Sequence, residues 1–244
     1  MKQVAIITGA SRGIGAAIAR RLAKDGFAVV VNYAGNVAEA DKVVAAIAAQ
    51  GGTAIAVQAD VASAAEVRKL FEQTIAQLGR VDVLVNNAGI MPPQLPQLGA
   101  TDDDTFDRLV AVNLKGSFNT MREATAKLEQ GGRIINFSSS LVGTLLPGYS
   151  AYVATKAGVE AMTSILAKEL RGKNITVNAV APGPTATALF LDGKTPELID
   201  RLAKMTPLER LGQPEDIASA VSFLAGPDGS WINGQTLRAN GGMV

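Results

Sequence analysis

Histidine and cysteine are both absent from the 244 residues. Without histidine there is no serine–histidine triad, no imidazole general base and almost no conventional zinc site. Without cysteine, thiol nucleophiles, thiolate metal ligands and disulfides are excluded too, and the chain gives no redox clue to its compartment. Aromatic residues are scarce, at 5%, with three tyrosines and one tryptophan. Acid–base chemistry is therefore confined to carboxylates, lysines and those few phenols. No apolar run approaches the length of a membrane span, and the opening "MKQVAIITG" lacks the longer hydrophobic core and cleavage site of a secretory signal. A cytoplasmic setting, with no membrane partner, is the expectation. The formal net charge of +1 gives no electrostatic footprint for nucleic acid.

The composition that remains is that of a globular chain, 48% hydrophobic and 18% charged, long enough to bury a sizeable core. Short β-rich runs recur: "VAIIT" from Val4, "AVVVN" from Ala28, "AIAVQAD" from Ala54, "VDVLVNN" from Val81, "RIINFSS" from Arg133, "ITVNAVAPG" from Ile175 and a final "GQTLRAN". They read as buried parallel strands, apolar on both faces. Helical patterns fall between them at Gly13 to Asp25, Val37 to Gln50, Ala64 to Leu78, Asp103 to Leu128, Ser150 to Arg171 and Pro214 to Leu224. Strict alternation predicts an α/β fold: a doubly wound, Rossmann-type, seven-stranded parallel sheet with helices on both faces. No linker or composition shift divides the chain, so residues 1–244 are expected to form a single domain.

"TDDD" at Thr101 reads as a helix cap, with the threonine hydroxyl and three carboxylates at a positive helix end, and no metal is expected. "IMPPQLPQLGA" and Pro182 to Pro207 are the irregular stretches. Long loops in compact domains are disproportionately functional, and a substrate lid is expected at about 184–207.

"TGASRGIG" follows the first strand and leads into a helix. Gly9, Gly13 and Gly15 would let phosphates approach backbone N–H groups at the helix N-terminus. A plain glycine-rich turn is the simpler alternative. At the end of the second strand, "VVNYAG" carries Asn32 where a carboxylate would accept a free 2′-hydroxyl. No acid there repels a 2′-phosphate, and Arg12 could pair with one, which favours NADP(H) over NAD(H).

"SAYVATKAG" sets Tyr152 and Lys156 four residues apart, on one face of a helix. A phenol ordinarily ionises near pH ~10, and a neighbouring ammonium stabilises phenolate and lowers that value. The pair is thus a candidate proton donor with its tuning charge, or two side chains on an ordinary helix.

Four segments, "TGASRGIG", "NNAG" at Asn86, "YVATK" at Tyr152 and "PG" at Pro182, stand in order at intervals that resemble the short-chain dehydrogenase/reductase family across essentially the whole chain. The resemblance implies an enzyme that moves hydride reversibly between NADP(H) and a ketone or aldehyde, with Tyr152 as general acid/base. It implies a cofactor turn of Gly9, Ser11, Arg12, Gly13, Ile14 and Gly15, with Asn32 nearby. Asp60 and Val61 would meet the adenine, and Asn87, Ala88 and Gly89 would close against the cofactor. Pro182, Gly183, Thr185 and Thr187 would flank the nicotinamide end. Lys156 would also hold the ribose hydroxyls, and Asn113 a relay water. Ser139, thirteen residues before Tyr152, would orient the substrate oxygen. Ser138 and Ser140 have an alternative as turn residues, and Asn86 and Asn87 as structural strand-end caps.

The resemblance extends to both carbonyl (aldehyde/ketone) reductases and 3-oxoacyl-carrier-protein reductases, with the "FLDGKTPE" lid and "LRANGG" ending nearer the former. Leu141, Leu145, Leu146, Tyr149, Leu189, Phe190 and Met205 make the segments near the substrate apolar, either as a pocket for apolar carbonyl compounds or as packing beneath the lid or at a subunit interface. A carrier-protein partner would want a basic patch, which Arg122, Lys127, Arg171 and Lys173 do not establish. The helix from Ser150 is apolar almost all round, so its outer side is expected to meet another subunit, in a homotetramer or dimer. A non-catalytic NADP(H)-binding sensor is the reading from another class.

Overall fold

The computed structural model describes residues 2–92 and 94–244. Seven strands run parallel: β1 (Val4–Ile7), β2 (Ala28–Tyr33), β3 (Thr53–Gln58), β4 (Val83–Asn86), β5 (Arg133–Phe137), β6 (Thr176–Pro182) and β7 (Thr236–Ala239). Their order across the sheet is β3-β2-β1-β4-β5-β6-β7. The chain winds outward from β1 in one direction and, beginning at β4, in the other. Ile7 pairs with Val85 where the two halves meet, and the crevice beyond those strand ends is where such sheets bind ligands.

Helices α1 (Gly13–Lys24), α2 (Val37–Ala49) and α3 (Ala64–Leu78) follow the first three strands. Next come α4 (Asp103–Leu109), a π-helical segment (Val110–Lys115) and α5 (Gly116–Lys127). A short α6 (Leu141–Thr144) precedes the long α7 (Ser150–Glu169), and α8 (Ala188–Leu191), α9 (Pro196–Lys204) and α10 (Pro214–Ala225) complete the chain. One apolar layer joins α1, α2 and α10 to the sheet through Ile18, Leu22, Val43, Ile47, Ile217 and Val221. The opposite layer joins α3, α5 and α7 through Leu70, Phe71, Met121 and Leu166. Both faces of the central strands are therefore dry, which is why those strands read as unbroken apolar runs.

Four local differences from the sequence expectations have physical causes. β3 and β7 are sheet edges and only partly buried. The predicted helix from Asp103 to Leu128 is three consecutive segments, its middle wound as a π-helix around Asn113. The cap of α4 is the Asp102 carboxylate, accepting from the Thr105 N–H, while the Thr101 hydroxyl donates to the Gln97 carbonyl. Finally, Pro182 to Pro207 is not irregular throughout. α8 starts at a Thr187 cap, and α9 at a Thr195 cap with Pro196 in its first turn, where the missing N–H is no loss.

Candidate functional site

The glycine turn between β1 and α1 owes its shape to backbone freedom and close approach. Gly9 and Gly13 have φ of +62° and +56°, in the left-handed region that favours glycine. A Cβ on Gly15 would lie 2.5 Å from both the Asn87 Nδ2 and the Gly9 carbonyl oxygen. Asn87 Nδ2 donates to the Thr8 and Gly9 carbonyls at 2.9 and 3.0 Å, and the Ala88 N–H donates to the Thr8 hydroxyl at 3.0 Å. "TGASRGIG" and "NNAG" are thus one interlocked turn across β1 and β4.

The N-termini of α2 and α3 are capped by Asn36 and Ser63, but Arg12 at the corresponding position of α1 provides no side-chain cap. The first-turn N–H groups of α1 remain available to an anion, as a pyrophosphate requires. Arg12 is exposed and forms no ion pair among the described residues. Ser11 and Ile14 sit in the turn itself, half-buried. A small-residue cradle, free amide donors and an unpaired guanidinium together fit a phosphorylated dinucleotide.

Asn32 requires a correction. Its side chain is 1% exposed and faces inward, where Oδ1 accepts from the Gly9 N–H and Nδ2 donates to the Val57 and Ala59 carbonyls. β2 runs one residue further, to Tyr33. Asn32 braces the turn from beneath instead of lining the cleft. Asp60 is exposed and accepts from the Ala62 N–H. Val61 is buried against Gly116, and its carbonyl accepts from Asn119 Nδ2 at 3.0 Å.

Asn113 is fully buried inside the π-helical segment, a kind of irregularity that concentrates at functional sites. Its amide exchanges two hydrogen bonds with Ile90, donating to the carbonyl at 2.9 Å and accepting from the N–H at 2.8 Å. A Cβ on Gly89 would lie 3.3 Å from Asn113 Oδ1 and 3.5 Å from Lys156 Nζ. Asn113, Gly89 and Lys156 therefore converge at the end of β4.

Tyr152 and Lys156 come from the first turns of α7. Lys156 Nζ donates to the Phe137 carbonyl at 2.9 Å and lies 5.7 Å from the centroid of the Tyr152 ring. Burial pushes the lysine down to about 8. Burial also pushes the Tyr152 phenol up to about 12, although the adjoining Ser139 hydroxyl acts to lower it. The expectation that Lys156 would draw the phenol towards neutrality is thus not met in the free chain. The ammonium is committed to a backbone carbonyl, and desolvation of the phenolate dominates. Of the three serines, Ser139 adjoins Tyr152, whereas Ser138 donates to Glu160 and Ser140 to the Ala181 carbonyl.

At the far wall, Gly183 packs on Asn240, where a Cβ would come within 2.8 Å of its Cα, and Thr185 is buried, donating to the Gly183 carbonyl. Pro182 ends β6. Thr187 caps α8, and its methyl lies 3.5 Å from where a Cβ of Gly13 would stand. The start of the lid segment and the phosphate turn therefore face each other.

Two groupings go beyond what the local sequence shows. Asn86 and Asn136, paired in register, hydrogen-bond at 2.8 Å and extend to Thr120 and Thr163, tying β4, β5, α5 and α7 together. Asparagine within the apolar run "RIINF" was the available signal. A cavity of about 300 Å³ is lined by Gln97, Leu98, Leu145, Leu146, Tyr149 and Val153, among others, of which Leu145, Leu146 and Tyr149 belong to the segments expected near the substrate. Leu145 and Met205 are exposed, Phe190 is half-buried, and the Leu189 side chain lies outside the described residues.

Residues 9–244 match a family model described as "Enoyl-(Acyl carrier protein) reductase". An Arabidopsis thaliana protein named "NADPH-dependent aldehyde reductase-like protein, chloroplastic" is 45% identical, over 99% of this chain and 94% of its own. A Staphylococcus aureus "3-oxoacyl-[acyl-carrier-protein] reductase FabG" is 44% identical, over 100% and 98%. Among solved structures, a short chain dehydrogenase from Burkholderia cenocepacia in complex with NADP superposes with a TM-score of 0.92 at 38% identity, covering 99% of this chain and 97% of that one.

Proposed function

Because the chain belongs to the short-chain dehydrogenase/reductase family, we propose that it is an NADP(H)-dependent oxidoreductase that reduces the carbonyl of a ketone or aldehyde to an alcohol, reversibly. The observation that carries this reading is the meeting of the Ser139 and Tyr152 hydroxyls beside Lys156, at the crevice where the glycine turn opens. The cofactor, when bound, supplies the hydride. The Ser139 hydroxyl orients the substrate oxygen and stabilises charge developing on it. Tyr152, fully protonated at neutral pH, hands its proton to that oxygen, since an alkoxide is a far stronger base than a phenolate. Lys156 steadies the resulting phenolate, and Asn113 fixes the segment through which a proton returns from solvent.

The assignment of Gly9, Ser11, Arg12, Gly13, Ile14 and Gly15 to the cofactor turn rests on the free amides of α1, and that of NADP(H) on the unpaired Arg12 as well. Asp60, Val61, Asn87, Ala88, Gly89, Pro182, Gly183, Thr185 and Thr187 complete the surround in this reading. Residues 1–244 act as one domain, with 184–207 as its lid. The apolar cavity beside Tyr149 favours carbonyl compounds with apolar substituents.

A 3-oxoacyl-carrier-protein reductase is the second reading, favoured by the FabG relative. The basic residues available to a carrier protein speak against it. Arg122 stacks on Phe118, Lys127 pairs with Glu123, and Arg171 and Lys173 follow the C-terminal end of α7, remote from the end that carries Tyr152. Two separate apolar faces support a homotetramer: Phe118 and Ile165 on α5 and α7, and Phe223, Trp231 and Leu237 around α10 and β7. Among the described residues no helix is long and apolar enough to cross a membrane, and this reading assigns the enzyme to the cytoplasm.

NADPH oxidation measured with apolar ketones, aldehydes and a β-ketoacyl thioester tests the proposal. Turnover of the first two supports it, and turnover of the thioester alone moves the chain to the second reading. NADPH binding without turnover of any would make it a sensor.

A further inference from the structure

Glu160 lies on α7 one turn beyond Lys156 and two beyond Tyr152, on the same side of the helix. Its carboxylate accepts a hydrogen bond from the Ser138 hydroxyl at 2.5 Å, the short length of a charge-assisted O–H···O⁻ bond. Among the described residues it has no lysine or arginine partner. Ser138 is buried, at 3% exposure, so this contact is internal to the fold.

What the pair joins gives the contact its meaning. Phe137 and Ser138 are consecutive at the end of β5, and each is bonded to α7: Phe137 through its carbonyl to Lys156 Nζ, Ser138 through its hydroxyl to Glu160. Asn136, one residue before Phe137, is bonded to Thr163 further along the same helix, so three consecutive strand-end residues each hold a different turn of α7. Of the three ties, that of Ser138 to Glu160 is the one made by the residue adjoining Ser139. The next residue along the strand is Ser139, and the next turn back along the helix carries Tyr152. The clamp therefore sets the spacing between the two hydroxyls that meet the substrate oxygen.

We propose that Glu160, acting through Ser138, is a positioning residue that holds Ser139 and Lys156 in register with Tyr152. This inference rests on the carbonyl-reductase reading for its kinetic consequence and on geometry alone for its structural one. The test uses the full chain and the variants Glu160→Ala, Glu160→Gln, Ser138→Ala and the double Ser138→Ala/Glu160→Ala. Steady-state kinetics with NADPH and a ketone are paired with amide hydrogen exchange of the cofactor-free proteins.

The expected result is a roughly tenfold fall in kcat for Glu160→Ala and Ser138→Ala, with the NADPH dissociation constant within about twofold of wild type. The double variant should be no worse than either single one, and Glu160→Gln, which keeps an acceptor, should recover most of the rate. In Glu160→Ala, exchange should quicken at the Ser140 and Leu141 amides, which bond to the Pro182 carbonyl and the Ser139 hydroxyl, and stay unchanged at Val30 in the core. Unaltered kcat and exchange, or effects that add in the double variant, would overturn the proposal. If the wild-type protein reduces no carbonyl compound, the function has failed and exchange alone decides: faster Ser140 and Leu141 amides uphold the clamp, unchanged ones overturn it. Ser138→Ala carries the same test should Glu160→Ala fail to fold.

Discussion

Lys156 and Tyr152 stand one helical turn apart with the ammonium 5.7 Å from the phenol ring, yet the ammonium is bonded to the Phe137 carbonyl. The lysine is thus parked beside the tyrosine and the phenol keeps its proton. Replacing Tyr152 with Phe removes that proton and leaves the ring in place. Carbonyl reduction should fall on the order of a thousandfold, with NADPH affinity within about twofold by fluorescence titration. A variant retaining more than a tenth of wild-type kcat would assign proton donation elsewhere.

The buried lysine also makes stability depend on pH in a stated direction. Folded Lys156 loses its proton near pH 8, whereas in the unfolded chain it stays protonated to about 10.5. Between those values the unfolded state binds more protons, so stability rises with pH there. Relative to Lys156→Met, wild type should gain about 2 kcal/mol in urea unfolding free energy between pH 7.5 and 9.5. Tyr152, raised to about 12, acts in the opposite sense and only above the ordinary phenol value, so stability then falls with pH. A flat difference across the lower window would mean that Lys156 is solvated.

Gly15 has no room for a methyl group, since Asn87 Nδ2 and the Gly9 carbonyl oxygen both lie 2.5 Å from where its Cβ would be. Gly15→Ala should therefore destabilise the fold by about 1–3 kcal/mol through overpacking. It should also part the two turns that Asn87 joins and weaken NADPH binding at least tenfold. Calorimetry on the purified variant measures both, and unchanged affinity would detach the turn from the cofactor.

Asn32 and Arg12 make separable predictions about cofactor choice. Asn32→Asp would point a carboxylate at the Val57 and Ala59 carbonyls, which now accept from the amide. A loss of about 3 kcal/mol is expected, with no gain in NADH turnover. Arg12→Ala should leave stability unchanged and lower the NADPH-to-NADH ratio of kcat/KM at least tenfold. A stable Asn32→Asp protein that prefers NADH would show that this side chain faces the cofactor after all.

The parts of this architecture that came through in the sequence are those set by periodicity and glycine. Strands buried on both faces are unbroken apolar runs, and Gly9, Gly13 and Gly15 mark a turn that only glycine fills. Tyr152 and Lys156 were legible as a pair because helical spacing is local. The direction in which a side chain points was not legible. Asn32 stands at the expected strand end but faces the interior, because Gly9 and two strand carbonyls offer it partners there. The sign of the Tyr152 shift was also hidden, since it depends on how deeply the fold sets the phenol. The polar chain from Thr120 through Asn86 and Asn136 to Thr163 joins residues up to 50 positions apart, beyond any local pattern.

The π-helical segment around Asn113 has a further consequence for how this helix can vary. Hydrogen bonds that skip one residue more than in an α-helix wind the chain less per residue, so the segment works as a phase shifter between α4 and α5. Upstream of it, α4 lies against α7, with Leu109 buried. Downstream, Asn119 and Thr120 point into the sheet interface, at bonding distance from Val61 and Asn86. The six residues of the segment together lag an α-helix by about the rotation that one α-helical residue supplies, so the segment absorbs a single extra residue, and removing one there would restore an unbroken α-helix with the downstream positions still in place. That single junction sets the angular reading frame shared by the cleft and the core.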